Sequence, residues 1–149
     1  MDAIDLNLVD LLRGNARLSY AELARQVGLS APAVHERVGK LEASGVIRGY
    51  RAEADPESIG LGVTALIGIV EDSGASTEDV LAAFQTIPEI ESCYFMAGVE
   101  SFLLKARVGT IAELEQLILR LNRTAGVAST RTAVALSTKW ENRPQPARP

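Results

Sequence analysis

Basic and hydrogen-bonding side chains that could bind a phosphate or a base edge are concentrated between Arg13 and Arg51. Seven basic residues stand there against three acidic ones, which gives a local charge of +4 in a chain whose net charge is −4. A basic stretch within an acidic chain indicates contact with nucleic acid at one place on the surface. An ordinary solvated surface also produces such a stretch, so the charge supports this interpretation but does not establish it alone.

Two short helices with similar starting sequences would position these side chains. Ser19 and Glu22 have the spacing of a capping box, and Ser30 with Pro32 marks the start of the second helix. Gly28 suits the left-handed stop of the first helix, so only residues 28–30 separate the two. A glycine-containing turn of this length is typical of a helix-turn-helix, whose second helix enters a DNA groove. Apolar residues at 4, 8, 11 and 12 predict one more helix ahead of this pair.

The second helix of the pair carries most of the predicted DNA contacts. When Val34, Val38 and Leu41 face the core, the opposite face is left for the groove. The predicted DNA-binding residues are Ser30, Pro32, Ala33, His35, Glu36, Arg37, Lys40, Arg25 and Arg48.

These residues differ in the contact that their chemistry predicts. Ser30, at the helix start, can donate to a phosphate, while Arg37 and Lys40 suit a phosphate or a guanine. A solvated surface position or an ordinary ion pair is the alternative for His35, Glu36, Arg25 and Arg48.

The second half of the sequence predicts a sheet with two helices. Strands are predicted over 63–71, 89–97, 101–108 and 127–139, and helices over 76–87 and 110–122. This βαββαβ order is that of a ferredoxin-like sheet. A further strand is predicted over 46–51. The predicted fold class is therefore α+β, with a three-helix helix-turn-helix domain (1–51), a linker (52–62), a ferredoxin-like domain (63–140) and a flexible tail (141–149).

The strand over 63–71 has an almost unbroken apolar run, which predicts burial on both of its faces. Two helices cover only one face of a four-stranded sheet, so the other face would be an apolar patch too large for a soluble monomer. We therefore expect two chains to pack sheet against sheet. Such a homodimer would bring two helix-turn-helix units together, as a palindromic site requires.

The composition argues against an enzyme. One histidine, which lies in the helix-turn-helix, one cysteine and no carboxylate cluster leave no catalytic or metal site to assign. No cofactor is predicted. Cys93 is expected to be a buried strand residue, and a lone cysteine agrees with a reducing compartment. No apolar stretch reaches the length of a membrane span and the N-terminus is acidic, so we expect a cytoplasmic, nucleoid-associated protein.

The sequence resembles the Lrp/AsnC family of leucine-responsive, or feast/famine, regulators. The resemblance rests on DLNLVDLL (5–12), LARQVGLS (23–30), RVGKLE (37–42), GVIRGY (45–50), AGVESFLL (97–104) and TRT (130–132). It implies a RAM-type second domain that dimerises through its sheet, octameric rings of four dimers, and an amino acid effector bound between dimers. Two positions depart from the family pattern. Ser101 stands where the family usually has an aspartate, and Gly39 where it usually has a basic residue.

The resemblance also implies where an effector would bind. The implied effector-binding residues are Ala97, Gly98, Val99, Glu100, Ser101, Thr132, Val134 and Ala135. Backbone N–H groups around Gly98 could hold a carboxylate, and Glu100 could partly replace the missing aspartate. The alternative is an ordinary hairpin turn and a plain strand.

The predicted function is a sequence-specific, DNA-binding transcription regulator of amino acid or related metabolism. It would bind double-stranded promoter or operator DNA as dimers or octamers, under the control of a small-molecule effector. The alternative is an architectural protein that wraps DNA with weak sequence preference and no effector.

Overall fold

The computed structural model describes residues 1–148 and divides the chain into two compact units. The first contains Met1–Ala52 and the C-terminal tail from Lys139 onward, and the second contains Glu53–Thr138. The first is helical and the second combines a sheet with two helices. The α+β class predicted from the sequence is thus confirmed.

The first unit contains α1 (Ala3–Gly14), α2 (Tyr20–Val27) and α3 (Ala31–Ala43). The predicted capping box opens α2, since Ser19 Oγ accepts from Glu22 N at 3.2 Å and Glu22 Oε2 accepts from Ser19 N at 2.7 Å. Gly28 ends this helix with a φ of 72°. Ser30 then caps α3. The helices share a core of Leu8, Leu12, Leu23, Ala24, Val34, Val38 and Leu41.

The segment 46–51 is not a strand, although its residues favour one. It follows the end of α3, with Ile47 N donating to Leu41 O at 3.0 Å and the Tyr50 hydroxyl donating to Glu42 Oε1 at 2.7 Å. A strand needs a neighbouring strand to pair with, and the described residues of this unit form only helices and loops. Helix α3 itself ends at Ala43, two residues before the predicted stop at Gly45.

The second unit contains β1 (Val63–Glu71), α4 (Thr77–Gln85), β2 (Ile90–Phe95), β3 (Phe102–Val108), α5 (Ile111–Asn122) and β4 (Val127–Val134). The strands form one antiparallel sheet in the order β2-β3-β1-β4. Most bounds lie within two residues of the predicted ones. The last strand ends at Val134, earlier than the predicted 139. Ala135 N already bonds to Thr64 O, and β1 begins only one residue before Thr64, so the later described residues have no strand to pair with.

The side chains of β1 alternate between two faces of the sheet that differ in burial. Ala65, Ile67 and Ile69 are fully buried in the core that the sheet forms with α4 and α5. On the opposite face, Leu66 is 43% exposed. Thr64 lies on the same face as Leu66 but is only 8% exposed, so the predicted burial of both faces is partial within one chain. We call this second side of the sheet the open face.

The tail makes contacts that its proline-rich sequence did not predict. Ala147 N donates to both carboxylate oxygens of Asp10, at 2.9 and 3.0 Å. Arg13 donates to the carbonyl oxygen of Gln145. Asp10 and Arg13 both lie on α1, so described residues of the tail contact the first unit in this structure.

Candidate nucleic-acid interface and effector region

Helix α3 presents one exposed face and buries the other. Val34 and Val38 are almost fully buried, whereas Pro32, His35, Glu36, Gly39 and Lys40 are exposed. We call these five residues the groove face. Ser30 is exposed at the start of the helix, and Ala33 is half-buried beside the face. Because the helix follows a three-residue turn, the face belongs to a regular helix-turn-helix.

Two opposite charges on the groove face hold each other. Lys40 Nζ lies 2.6 Å from Glu36 Oε1, one helical turn apart, and the two side chains are 74% and 69% exposed. The hydrogen bond from Lys40 lowers the pKa of the Glu36 carboxyl. Exposed pairs of this kind are weak because water competes for both charges. The Lys40 ammonium can therefore exchange this carboxylate for a phosphate.

An aromatic contact at the groove face joins α2 to α3. The His35 ring packs edge-on against Tyr20, with ring centroids 4.8 Å apart and an interplanar angle of 87°. Tyr20 was not among the predicted site residues. The only signal for Tyr20 in the sequence was its place directly after the cap Ser19, as the first residue of α2.

Arg37 lies beside the groove face and is bound to α1. Its Nη1 donates to Asp2 Oδ2 at 2.8 Å and to Asp5 Oδ1 at 2.7 Å. These bonds, with that to Asp5 the larger influence, raise the pKa of the guanidinium further. Arg37, which the sequence predicted to contact DNA, is thus paired with two carboxylates of its own chain. Arg25 on α2 and Arg48 after α3 are both exposed.

The loop between β2 and β3 contains the first five predicted effector residues, 97–101. Met96 N donates to Ser101 O, and Ser101 N donates to Ile69 O near the end of β1, both at 2.8 Å. Gly98 has a φ of +148°, which strongly favours glycine, and Val99 is 80% exposed. The turn therefore projects from this end of the sheet.

Glu100 lies over β1 in a space that a glycine leaves open. A Cβ atom built at Gly68 would be 2.8 Å from Glu100 Cγ. The Glu100 carboxylate is 3.1 Å from Arg131 Nη1 on β4. The carboxylate that was predicted to replace the missing aspartate is thus paired with a basic residue of the same chain.

The other predicted effector residues lie elsewhere on the sheet. Ala135 N bonds to Thr64 O, whereas Ser101 bonds to Ile69. The β1 residues opposite the strand group (Thr132, Val134 and Ala135) run from Ile67 to Thr64, which lie about 7 to 17 Å along the strand from Ile69. The two groups therefore face different stretches of β1 in one chain. Thr132 pairs with the buried Ile67, so its side chain lies on the helix-covered side of the sheet. Within residues 1–148, its buried Oγ1 has no hydrogen-bond partner.

Charged residues interrupt the open face, which the sequence predicted to be apolar. Glu91 pairs with Lys105 and Arg107, whose side chains are only 12% and 13% exposed, and Arg107 also donates to Thr64 Oγ1 at 3.1 Å. Burial disfavours the charged form of Glu91, but hydrogen bonds from the two cations hold its pKa below the ordinary value. Leu66 and Leu103 lie beside this cluster.

Cys93 is half-buried on β2, and burial raises the pKa of its thiol. Among residues 1–148, no group of histidine, cysteine and acidic side chains suits a metal ion. Each helix in that part of the chain is too short or too polar to cross a bilayer.

Comparison with known proteins matches both units to described domain families. The AsnC-type helix-turn-helix domain matches residues 1–42, and the Lrp/AsnC ligand binding domain matches residues 64–145. The HTH-type transcriptional regulator LrpA of Mycobacterium tuberculosis is 39% identical over 143 residues, which cover 96% of this chain and 95% of the relative. The regulatory protein AsnC of Escherichia coli is 32% identical over 137 residues, with 91% and 90% covered.

A solved structure gives the same result. The feast or famine regulatory protein from M. tuberculosis complexed with L-methionine superposes with a TM-score of 0.92 at 38% identity, covering 98% of this chain and 99% of that one. The named relatives are transcription regulators and not enzymes. The chain therefore belongs to the Lrp/AsnC family of transcription regulators, with an N-terminal helix-turn-helix domain and a C-terminal ligand-binding domain.

Proposed function

We propose that this protein is a sequence-specific DNA-binding regulator of amino acid or related metabolism that acts in the cytoplasm, on the nucleoid. The observation that supports this best is the groove face of α3, which combines an exchangeable cation with hydrogen-bonding side chains. Lys40 would bind phosphate, His35 and Glu36 would meet base edges, and Ser30 would bind phosphate at the helix start. Pro32 and Ala33 would contact the groove wall, Arg25 and Arg48 would bind the flanking backbone, and Tyr20 is added to this set.

We also propose that the protein works as a homodimer through the open face, and that four dimers form an octamer. Leu66 and Leu103 on this face would be buried by a second sheet. The charged residues beside them already pair within one chain, because Glu91 holds both Lys105 and Arg107. A partner sheet could therefore cover the face without leaving those charges unpaired, which is the usual cost of burying them.

Footprinting on a promoter fragment tests this proposal against the architectural alternative. A dimer with two groove faces should protect two half-sites separated by one helical turn or a multiple of it. Light scattering at micromolar concentration should give at least twice the chain mass. Extended periodic protection of any sequence would favour DNA wrapping instead, and a monomeric mass would contradict the dimer.

We propose an amino acid as the effector, bound where two copies meet. In one chain the loop group (97–101) bonds to Ile69 of β1, whereas the strand group faces Ile67 to Thr64, about 7 to 17 Å along the strand. A second copy could supply the missing half of a shared site. The loop residues Ala97, Gly98, Val99, Glu100 and Ser101 would hold the charged groups, and Thr132, Val134 and Ala135 would line the other side. A family relative complexed with L-methionine supports this ligand class.

Thermal unfolding with a panel of free amino acids, L-methionine first, tests the effector. A ligand at a hundredfold excess over its Kd should add about 2.7 kcal/mol to the native state, and so raise Tm by several degrees. Gly98→Leu should remove this rise, because a residue with a side chain rarely adopts a φ of +148° and the turn must change shape. The fold should persist, since no atom of residues 1–148 lies within 4 Å of the added Cβ. An unchanged rise in that variant would place the pocket elsewhere, and no rise with any amino acid would contradict this ligand class.

A further inference from the structure

Arg37 closes a ring of hydrogen bonds between α3 and the start of α1. Asp2 and Asp5 form a capping box, with Asp5 N donating to Asp2 Oδ1 at 2.9 Å and Asp2 N donating to Asp5 Oδ2 at 3.0 Å. Their two remaining carboxylate oxygens both accept from Arg37 Nη1. Each of the four oxygens therefore has its own donor bond, and the side chain of Asp5 is only 16% exposed.

The charges of this ring argue against a phosphate contact by Arg37. Two carboxylates surround one guanidinium, so the group as a whole carries −1 and would repel a DNA backbone. Lys40 differs, because its one carboxylate partner is mostly exposed. The two cations of α3 thus have different surroundings, although they are three residues apart and look equivalent in the sequence.

We propose that Arg37 is a positioning residue of the DNA interface. It joins the middle of α3 to the capped start of α1 and fixes the direction of the groove face, without touching DNA. Within residues 1–148, α1 and α3 otherwise meet through the apolar side chains of their shared core. Such contacts resist sliding and rotation less than bonds of fixed direction. The inference rests on the proposed DNA-binding function and assigns one residue within it.

The salt dependence of DNA binding tests the assignment. Each phosphate contact adds about 0.9 to the slope of log K against log salt concentration. Specific and non-specific Kd values would be measured by fluorescence anisotropy between 50 and 200 mM salt for the full-length wild type, Arg37→Ala and Lys40→Ala. Arg37→Ala should lower specific affinity about tenfold with an unchanged slope. Lys40→Ala is the matched control and should reduce the slope by about 0.9 for each bound subunit. A reduced slope for Arg37→Ala, or an unchanged affinity, would overturn the assignment.

Asp5→Ala gives a second test that does not remove the arginine. It deletes a negative charge and loosens Arg37, so a DNA-contacting arginine would bind more tightly in this variant. A positioning arginine would lose its anchor, and specific affinity should fall about threefold to tenfold. A rise would overturn the assignment even if Arg37→Ala fails to fold. Absence of specific binding by the wild type would instead contradict the proposed function.

Discussion

Specific DNA affinity is expected to fall about 100-fold when Lys40 is replaced by glutamate. The ammonium is exposed on the groove face and is held only by the exposed carboxylate of Glu36 in the described contacts of residues 1–148. The substitution removes a phosphate contact and sets two like charges one turn apart, next to the DNA backbone. A loss of about tenfold in each subunit of a dimer gives the overall effect. Anisotropy titrations of a labelled operator measure it directly.

Arg123→Glu is the matched control for this change. Arg123 is exposed at the end of α5 in the second unit, so it changes the net charge by the same amount at a different place. Its effect on affinity should be less than threefold at 0.15 M salt, where charges more than about 8 Å away are screened. Similar losses in the two variants would mean that total charge, and not the groove face, governs binding.

The parts of the structure that could be predicted from the sequence are those decided by neighbouring residues. The capping box of Ser19 and Glu22 spans three residues, and the stop at Gly28 depends on one backbone angle. The apolar run that marks β1 likewise lies within one segment of the sequence. Such features do not depend on segments that are distant in the sequence. For this reason the three helices and the βαββαβ order were predicted correctly.

Partners that are distant in the sequence could not be predicted in the same way. The sequence identified Arg37 as a cation on the correct helix, but its acceptors are 32 and 35 residues away. The segment 46–51 has residues that favour a strand, yet pairing requires a second strand that this unit does not supply among its described residues. Local preference therefore identified the type of residue but did not reveal its partners within the chain.

The effector region shows the same limit at a larger scale. The resemblance placed residues 97–101 in one site with Thr132, Val134 and Ala135. The first group lies in the loop between β2 and β3, and the second lies on β4 except for Ala135, which follows its end. Their separation depends on which residues of β1 they face, and the register places the loop group at Ile69 and the strand group opposite Ile67 to Thr64. Strand register is set by packing across the whole sheet, so the chain's own sequence pattern does not reveal that a shared site would need a second copy.

Gly126→Ala is expected to lower the free energy of unfolding by about 3 kcal/mol. Gly126 has a φ of +87°, which costs a residue with a side chain about 1–2 kcal/mol. A Cβ atom there would also lie 2.6 Å from Val80 Cγ2 and 3.1 Å from Ala75 Cβ. Val80 is only 1% exposed, so the core must shift to admit the new atom, at a cost of about 1–3 kcal/mol. Urea unfolding followed by circular dichroism measures the sum.

Gly74→Ala separates the two causes of this loss. Gly74 has nearly the same φ, +86°, but a Cβ atom added there would meet no atom of the described residues within 4 Å. It should therefore lose only the backbone part, about 1 kcal/mol. Combining Gly126→Ala with Val80→Ala should cost less than the sum of the two single changes, because the shortened side chain relieves the close contact. Equal losses at Gly74 and Gly126, or additive costs at Gly126 and Val80, would show that backbone strain alone maintains glycine before β4.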